Sequence, residues 1–315
     1  MPHKPKVAIV GCGNVGSTFA FALMIRGIAR EITMVDRNLD RAQGEAMDLN
    51  HGASFVNPAE IYHGGYEACE GADIVVITAG ARQKPGQTRL DLVRTNAEIF
   101  KDIIPKITGY ARDAILLVVS NPMDILTYVT LKVSGLPPNR VLGSGTVLDS
   151  SRFRYLISRH CRLDPRNVHA YIIGEHGDTE LPVWSHANIA GMVLAEYCPI
   201  CNDKCDYKLE LGKIFDEVKN AAYKIIESKG ATYYAIALAL VKIVEAILRN
   251  ENSVLPVSTL ITDYYGINDV CLSTPSMVNK NGVEKFLRIR LSDKEAEQFR
   301  DSAKTLKGII KKIKL

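Results

Sequence analysis

The fold of this chain is decided near its amino end, in the stretch Val7-Ala8-Ile9-Val10-Gly11-Cys12-Gly13-Asn14-Val15-Gly16. A short apolar run, typical of a buried strand, leads into glycines with the spacing G-x-G-x-x-G, and an apolar helical segment, Phe19 to Ile25, follows. In this pattern the first glycine permits a tight turn, the second admits a pyrophosphate, and the third lets helix and strand pack closely. The helix amino end offers unpaired N–H groups to phosphate. The stretch therefore predicts a βαβ unit that binds a dinucleotide.

An acidic residue after the second strand-like run narrows the choice of dinucleotide. The run Ile32 to Val35 leads into Asp36, whose carboxylate can accept hydrogen bonds from both hydroxyls of an adenosine ribose. The same negative charge would repel the 2′-phosphate of NADP. A glycine-rich turn without a ligand would leave Asp36 unexplained, so the sequence favours NAD as the cofactor.

Apolar runs alternate with longer helical stretches through the first half of the chain. Such alternation is typical of βαβ units, and buried parallel strands read as continuous apolar runs. We therefore predict an α/β fold in which a Rossmann-type, doubly wound parallel sheet occupies residues 1–145. The runs expected to form its strands are Val7–Val10, Ile32–Val35, Ile74–Thr78, Ile115–Val119 and Val141–Leu142.

The second half has a different pattern, which predicts an α+β substrate domain over residues 146–315. The boundary lacks the composition of a linker, so the two domains should be tightly joined. Strands are expected at Asn167–Ile173 and, in a smaller sheet, at Val254–Ile261 and Cys271–Pro275. Long helices are expected at Lys213–Lys229 and Thr232–Arg249. A closing helix should pack an apolar face on the core, formed by Leu306, Ile309, Ile310 and Ile313.

Composition and charge argue against several classes of protein. The 315 residues are 47% hydrophobic and 23% charged, with a net charge of +4, which is ordinary for a soluble globular protein and gives no reason to expect nucleic acid. No apolar run approaches the ~20 residues that span a bilayer, and the chain enters its first strand without the apolar region of a signal peptide. The seven cysteines, an odd number without an export signal, favour reduced thiols in the cytoplasm.

Three of the cysteines, Cys198, Cys201 and Cys205, are close enough in sequence to suggest a metal site. Zinc prefers four ligands, and no fourth cysteine or histidine lies nearby in the sequence. We therefore expect free thiols and no bound metal.

One histidine in the second half is placed like a catalytic acid or base. The segment Ile172-Ile173-Gly174-Glu175-His176-Gly177-Asp178-Thr179-Glu180 continues from an apolar run that reads as a buried strand. Imidazole has an ordinary pKa near neutrality, so His176 can give up and regain a proton at working pH. A structural histidine in a strand-end loop is the alternative, and it is the commoner case for an isolated histidine.

Polar loops follow the strands of the predicted parallel sheet. Ala79 to Leu92 contains glycine and proline, turns helical near Arg89 and is typical of a lid, although an ordinary solvated loop fits its composition equally. Ser120 to Asp124 ends another strand and offers the amide of Asn121. Ligands of open α/β sheets bind outside the carboxyl ends of the strands. These loops and the glycine-rich turn should therefore converge on one crevice.

The segment Gly145 to Arg154 reads as the start of a helix with charged residues on two faces. Asp149 and Arg152 are neighbours on one face because they are three positions apart, whereas Arg152 and Arg154 point in nearly opposite directions. An arginine fork suits a carboxylate, and an aspartate suits the far nitrogen of a catalytic histidine. Ordinary surface arginines are the alternative.

With these motifs in order, and Lys229-Gly230-Ala231-Thr232 after them, the chain resembles the bacterial NAD-dependent L-lactate dehydrogenases of the lactate/malate dehydrogenase family over nearly its whole length. The resemblance implies reversible hydride transfer from NADH to pyruvate, which gives (S)-lactate in the terminal step of lactate fermentation. It makes His176 the proton donor and acceptor, and Asp149 the residue that holds the His176 ring. It makes Arg89 the residue that polarises the substrate carbonyl.

The resemblance also implies the binding residues. The substrate-binding residues would be Gln83, Arg89, Asn121, Asp124, Asp149, Arg152 and Thr232. In this set Arg152 would pair with the substrate carboxylate, and Asn121 would hydrogen-bond the substrate oxygen. The cofactor-binding residues would be Gly11, Gly13, Asn14, Val15, Gly16, Asp36, Gly80, Ala81, Val119, Ser120, Asn121 and Ile236.

Gln83 distinguishes lactate from malate dehydrogenases under this resemblance. Malate dehydrogenases of the family carry an arginine at this position, which pairs with the second carboxylate of oxaloacetate. With neutral Gln83 that carboxylate would enter the site without a partner. The alternatives are a malate or other 2-hydroxyacid dehydrogenase and, from another class, a catalytically silent NAD-binding protein, which would be expected to lack some of the site residues.

Two basic residues, Arg154 and His169, match positions that bind fructose 1,6-bisphosphate between subunits in allosteric bacterial members of the family. The resemblance implies a homotetramer, built as a dimer of dimers, in which this effector bridges positive charges that otherwise repel one another. The effector would favour the form with the higher affinity for pyruvate. Two ordinary basic residues are the alternative.

Overall fold

The computed structural model describes residues 4–81, 88–197 and 207–313. In the first half of the chain, parallel strands alternate with helices. The strands are β1 (Lys6–Val10), β2 (Glu31–Val35), β3 (Glu60–Gly64), β4 (Ile74–Ile77), β5 (Ile115–Val118) and β6 (Val141–Gly143). The helices are α1 (Asn14–Arg26), α2 (Leu39–His51), α3 (Arg89–Tyr110) and α4 (Met123–Ser134).

The parallel strands lie in the order β3-β2-β1-β4-β5-β6, which is the strand order of the Rossmann fold. The predicted fold class is therefore confirmed, and each predicted strand is present to within a residue or two at its ends. The sequence did not predict β3. This strand lies at the edge of the sheet and buries only Ile61, so it lacks the continuous apolar run of an inner strand.

The second half begins with a helix that continues directly from β6. Its helices are α5 (Val147–Cys161), α6 (Leu194–Tyr197), α7 (Tyr207–Lys229), α8 (Tyr234–Leu248) and α9 (Asp293–Ile310). Its strands are β7 (Val168–His169), β8 (Ile172–Ile173), β9 (Leu181–Pro182), β10 (Asn188–Ile189), β11 (Met192–Val193), β12 (Ser253–Ile261), β13 (Val270–Asn279) and β14 (Gly282–Phe286).

The strands β12 and β13 lie where strands were expected, but the prediction that they form a smaller sheet was wrong. β12 pairs antiparallel with β6 through Ser258 and Gly143, and β13 and β14 extend the same sheet. Without β12, strand β6 would present an edge of unpaired backbone groups. The two halves of the chain therefore share one sheet, and the domain boundary between residues 145 and 146 stays a prediction.

The single strand predicted over Asn167–Ile173 is instead two short strands. β7 pairs with β10, whereas β8 pairs with β9. The chain changes partners at Ala170 and Tyr171, which belong to neither strand. As a result, His169 is at the end of β7, whereas His176 follows β8.

The core lies on both faces of the large sheet. Along β1 and β4, successive side chains alternate between two apolar clusters, one shared with α1, α2 and α8 and the other with α3, α4 and α9. The predicted closing helix is confirmed, because its apolar face contacts the second cluster through Leu306, Ile309, Ile310 and Ile313. None of the described helices combines the length and the apolar character that a membrane crossing requires.

Candidate active site

Three predicted loops meet at the carboxyl ends of β1, β4 and β5. The hydroxyl of Thr78 donates to the carbonyl of Gly11 at 2.6 Å, and the hydroxyl of Ser120 donates to the carbonyl of Ala79 at 2.6 Å. The buried amide of Asn96 on α3 joins two of these loops, since it accepts from the N–H of Ala81 and donates to the carbonyl of Asn121, both at 2.7 Å. The predicted crevice is therefore formed by loops that are bonded to one another.

The glycine-rich turn has the geometry that a dinucleotide requires. Gly11 has a φ of +108°, and a Cβ atom on Gly16 would lie only 2.0 Å from the carbonyl oxygen of Gly11. Both positions therefore need glycine. By contrast, a Cβ on Gly13 would meet no atom within 4 Å, so this side of the turn is open for a ligand. The helix α1 begins at Asn14 without a side-chain cap, which leaves backbone N–H groups for phosphate.

The other predicted cofactor residues surround the same turn. The carboxylate of Asp36, at the end of β2, accepts from the N–H of Cys12 at 2.8 Å, and its remaining lone pairs can accept from ribose hydroxyls. Val15 on α1 and Ile236 on α8 pack against the apolar cluster that contains Val119, the residue after β5. These residues fit the adenosine ribose and the apolar wall of a bound NAD.

Asp149, Arg152 and His176, all from the second half of the chain, form an ion-paired cluster. The ring nitrogen Nδ1 of His176 lies 2.6 Å from Oδ2 of Asp149, and the guanidinium of Arg152 donates to Oδ1 of the same aspartate at 2.8 Å. Asp149 is in the first turn of α5 and is 3% exposed; the amino end of a helix favours such a negative charge. The His176 side chain remains 27% exposed. The predicted neighbours are thus in direct contact.

This arrangement keeps the imidazole charged. Burial disfavours the charged ring, but the carboxylate of Asp149, together with those of Asp124 and Glu180, raises the pKa of His176 to about 9. Burial also opposes ionisation of Asp149, yet His176 and Arg152 hold the pKa of that carboxyl below its ordinary value. His176 therefore carries a proton at neutral pH and can donate it to a substrate.

Asp124 holds the backbone of the histidine loop. One of its carboxylate oxygens accepts from the N–H of His176 at 2.7 Å, and the other accepts from the hydroxyl of Ser258 at 2.6 Å. The residue is only 2% exposed. Ser258, on β12, was not predicted as a site residue, and nothing in its sequence context marks it.

Comparison with known protein families covers both halves of the chain. Residues 5–143 match the NAD binding domain of the lactate/malate dehydrogenases, and residues 146–315 match their alpha/beta C-terminal domain. The chain belongs to the lactate/malate dehydrogenase family. Membership confirms the resemblance seen in the sequence. It also confirms NAD as the cofactor, so this family member is an NAD-dependent oxidoreductase.

The similar members of the lactate/malate dehydrogenase family match along almost their whole length. The chain is 58% identical to the L-lactate dehydrogenase of Acetivibrio thermocellus, with 97% of this chain and 96% of that protein covered. It is 57% identical to L-lactate dehydrogenase 1 of Clostridium acetobutylicum, with 98% of each covered. Among solved structures, the minor L-lactate dehydrogenase of Enterococcus mundtii, crystallised in a ligands-bound form, superimposes with a TM-score of 0.94 at 43% identity and 99% coverage of both chains.

Of the two residues predicted to bind an effector, Arg154 contacts the segment between β7 and β8. The Nε of Arg154 donates to the carbonyl of Ala170 at 3.0 Å, and its guanidinium lies over the ring of Tyr171. Burial lowers the pKa of Arg154. His169 is exposed on β7. As the helical spacing predicts, Arg152 and Arg154 contact different parts of the chain.

The remaining predicted residues of this family member lie outside the described part of the chain or in the segments around the helices α3 and α8. Gln83 lies outside the described residues, as do Cys198, Cys201 and Cys205. Arg89 is the first residue of α3, next to a capping box formed by Thr88 and Asp91, but its side chain is not among those described. Thr232 lies half-buried in the segment between α7 and α8.

Sequence reasoning missed one acidic residue in the centre of the site. A carboxyl oxygen of Glu180 lies within 4.8 Å of ligand atoms of both Asp149 and His176. Glu180 stands in the quoted histidine segment, but only the folding of that loop against α5 shows that it faces the pair. Glu180 is four residues from His176, but this spacing brings side chains together only in a helix, and here the chain forms a loop.

Proposed function

We propose that this family member is an L-lactate dehydrogenase that reduces pyruvate to (S)-lactate in the last step of lactate fermentation in the cytoplasm. The main support for the proposal is the contact of His176 with Asp149, which is also bonded to Arg152. The same half of the sheet that leads to this pair carries a turn that fits NAD. A proton donor, a carboxylate-binding fork and a dinucleotide site are what the reduction of a 2-keto acid needs. The names of the similar proteins give the same activity.

When bound, NADH supplies the hydride that is added to the carbonyl carbon. His176 gives its proton to the carbonyl oxygen as negative charge develops there, and takes a proton back when lactate is oxidised. Asp149 accepts the Nδ1 hydrogen bond, which fixes the ring orientation and leaves Nε2 for the substrate. Arg89, at the start of α3, would polarise the same carbonyl.

Arg152 binds the carboxylate of the substrate in this proposal. One N–H of its guanidinium is used by Asp149, and the planar fork has further N–H groups that can form a two-pronged pair with a carboxylate. Asn121 would donate to the substrate oxygen, and Thr232 would line the carboxylate pocket.

We propose a role for Asp124 besides the substrate contact that the resemblance implied. Both of its carboxylate oxygens are bonded within the protein, one of them to the backbone of His176. We therefore assign it to holding the His176 loop in position. A group that orients a catalytic residue in this way affects the rate without touching the substrate.

The proposal includes regulation by fructose 1,6-bisphosphate in a homotetramer. A guanidinium whose charge is disfavoured by burial, as in Arg154, gains from a nearby phosphate. The exposed imidazole of His169 is available to the same ligand. A dimer of dimers would bring two copies of each residue to one interface.

A coupled assay tests the substrate, the cofactor and the effector together. The loss of NADH absorbance is measured with pyruvate or oxaloacetate, with and without fructose 1,6-bisphosphate. We expect a higher kcat/KM for pyruvate and a lower pyruvate KM with the effector. Gln83→Arg should shift the preference towards oxaloacetate, because it provides a partner for the second carboxylate, whereas Gln43→Arg, which adds the same charge on α2, should not.

Three outcomes of this assay would contradict parts of the proposal. A kcat/KM that is higher for oxaloacetate would make the protein a malate dehydrogenase. No oxidation of NADH with any 2-keto acid would make it a silent NAD-binding protein. A pyruvate saturation curve that the sugar bisphosphate leaves unchanged would remove the regulatory part alone.

A further inference from the structure

Glu180 is a buried carboxyl group that the proposed mechanism does not use. It directly precedes β9 and is only 8% exposed. One of its carboxyl oxygens, one oxygen of Asp149 and one ring nitrogen of His176 all lie within 4.8 Å of one another. A carboxyl group held this close to the ion pair of Asp149 and His176 interacts with it electrostatically.

The charges around Glu180 come from three parts of the fold. Asp149 and Arg152 face it from α5, His176 faces it from its own loop, and Lys219 faces it from α7. The other acidic groups of the loop are directed elsewhere, because Glu175 accepts from the hydroxyl of Thr179 and the exposed Asp178 accepts from the hydroxyl of Tyr223. On α4, Asp124 is bonded to the His176 backbone and to Ser258.

Two buried carboxyl groups this close cannot both ionise at low cost. Asp149 ionises first because it is bonded to two cations. Burial and the charge of Asp149 then raise the pKa of Glu180 to about 8, against the opposing effects of His176, Arg152 and Lys219. This ionisation occurs just below the pH at which His176, with a pKa of about 9, loses its own proton.

We propose that Glu180 is a positioning residue that acts through His176, because its carboxylate, formed as the pH rises, stabilises the neighbouring imidazolium and keeps it able to donate a proton. The effect is electrostatic and needs no contact with the substrate. The role in catalysis rests on the proposed function, in which His176 is the proton donor. The interaction between the two side chains does not depend on that function.

Titration of His176 in the free protein tests the interaction without any assay of activity. Imidazole-labelled protein is followed by NMR from pH 6 to pH 10, and the His176 signal is assigned by its loss in His176→Asn. Glu180→Gln keeps the size of the side chain but cannot ionise. We expect it to lower the pKa of His176 by about one unit, a tenfold change in the protonation equilibrium. Asp178→Asn, which removes an exposed carboxylate two residues from His176, should leave that pKa unchanged.

Kinetics then connect the interaction to the reaction. Pyruvate needs the protonated histidine. In Glu180→Gln its KM should therefore begin to rise at a pH about one unit lower than in the wild type, and at alkaline pH it should be roughly tenfold higher. Lactate needs the neutral histidine, so its KM should fall above about pH 8, where Glu180 of the wild type is ionised. A merely structural defect would harm both directions alike, and Glu180→Asp, which restores an ionisable group, should recover part of the wild-type pH profile.

The results separate the two proposals. If the wild type does not reduce pyruvate, the proposed function fails, while the NMR titration still decides whether Glu180 acts on His176. If the wild type is active but Glu180→Gln leaves the pKa of His176 unchanged, the role of Glu180 is wrong. Equal shifts of the His176 pKa in Glu180→Gln and Asp178→Asn would also overturn the role of Glu180. They would show that the pKa responds only to the total charge of the protein. Thermal unfolding of each variant verifies that it is folded.

Discussion

At the scale of single residues, the site depends on the two contacts of Asp149. Its buried carboxylate is bonded to Arg152 through one oxygen and to His176 through the other. A buried carboxylate without partners would take up a proton, but here two cations keep it ionised. The same group therefore keeps His176 charged and fixes one edge of the Arg152 fork.

Replacing Asp149 by asparagine should remove the charge and keep the shape. Without this carboxylate the His176 ring loses its bonded partner, and the pKa of His176 should fall well below about 9. The imidazole would then be neutral at pH 8, where the wild type is protonated, and protonated again only in acid. A fall of about two units or more predicts that kcat/KM for pyruvate drops roughly 100-fold at pH 8 and less at pH 6.

The pH profiles of kcat/KM for the wild type and Asp149→Asn provide the measurement. Asp113→Asn is the control, because that aspartate is fully exposed beside Arg140 and its loss should change neither the rate nor the profile. The prediction would be contradicted by a loss of rate in Asp149→Asn that is the same at pH 6 and pH 8, since the aspartate would then act by geometry and not by charge.

At the scale of elements, α3 connects the loops of the dinucleotide site. Asn96 is 1% exposed, and its amide is bonded to the loop after β4 and to the loop after β5. Removing the amide leaves the N–H of Ala81 and the carbonyl of Asn121 without this partner. Asn96→Ala should therefore lower the free energy of unfolding by roughly 1–3 kcal/mol and weaken the binding of NADH.

Urea unfolding and a fluorescence titration with NADH measure the two effects of Asn96→Ala. The neighbouring Thr95→Ala is the control: Thr95 is exposed, and its hydroxyl donates to the carbonyl of Asp91 within the same helix. If Asn96→Ala is destabilised but binds NADH as the wild type does, the amide stabilises the fold without shaping the cofactor site.

Contacts between distant parts of the chain are what the sequence could not predict. The helical spacing of Asp149 and Arg152 and the apolar runs of β1, β4 and β5 are local patterns, and each led to the observed structure. The bond between Ser258 and Asp124 joins residues 134 positions apart, and the bond of Asn96 to Asn121 joins two different loops. The position of Glu180 beside Asp149 likewise depends on how its loop folds onto α5.

At the scale of the whole molecule, the contrast between local patterns and distant contacts explains which strands of the large sheet could be predicted from the sequence. Inner parallel strands are buried on both faces, so β1, β4 and β5 are apolar throughout and could be recognised. The edge strand β3 is mostly exposed, and its sequence resembles that of a loop. The pairing of β12 with β6 has no sequence signal either, because it depends on the open edge that the Rossmann half presents.

The surface of the whole molecule carries a patch that agrees with the proposed homotetramer. Phe21 and Ile25 on α1 are 50% and 51% exposed, and Tyr234 and Leu238 on α8 are 65% and 61% exposed. The two helices pack against each other, and each pair is spaced by one helical turn. Exposed apolar side chains on two helices that pack together can form a protein–protein interface.

Leu238→Lys should therefore break the assembly. A lysine in the centre of an apolar interface would have to be buried without a partner, so we expect a smaller species than the wild type in sedimentation velocity at equal concentration. Tyr110→Lys is the matched control, because Tyr110 on α3 is 51% exposed and lies outside this patch. Circular dichroism should show both variants folded. If Leu238→Lys sediments with the wild type, or if Tyr110→Lys dissociates as well, the α1–α8 patch is not the surface that holds the subunits together.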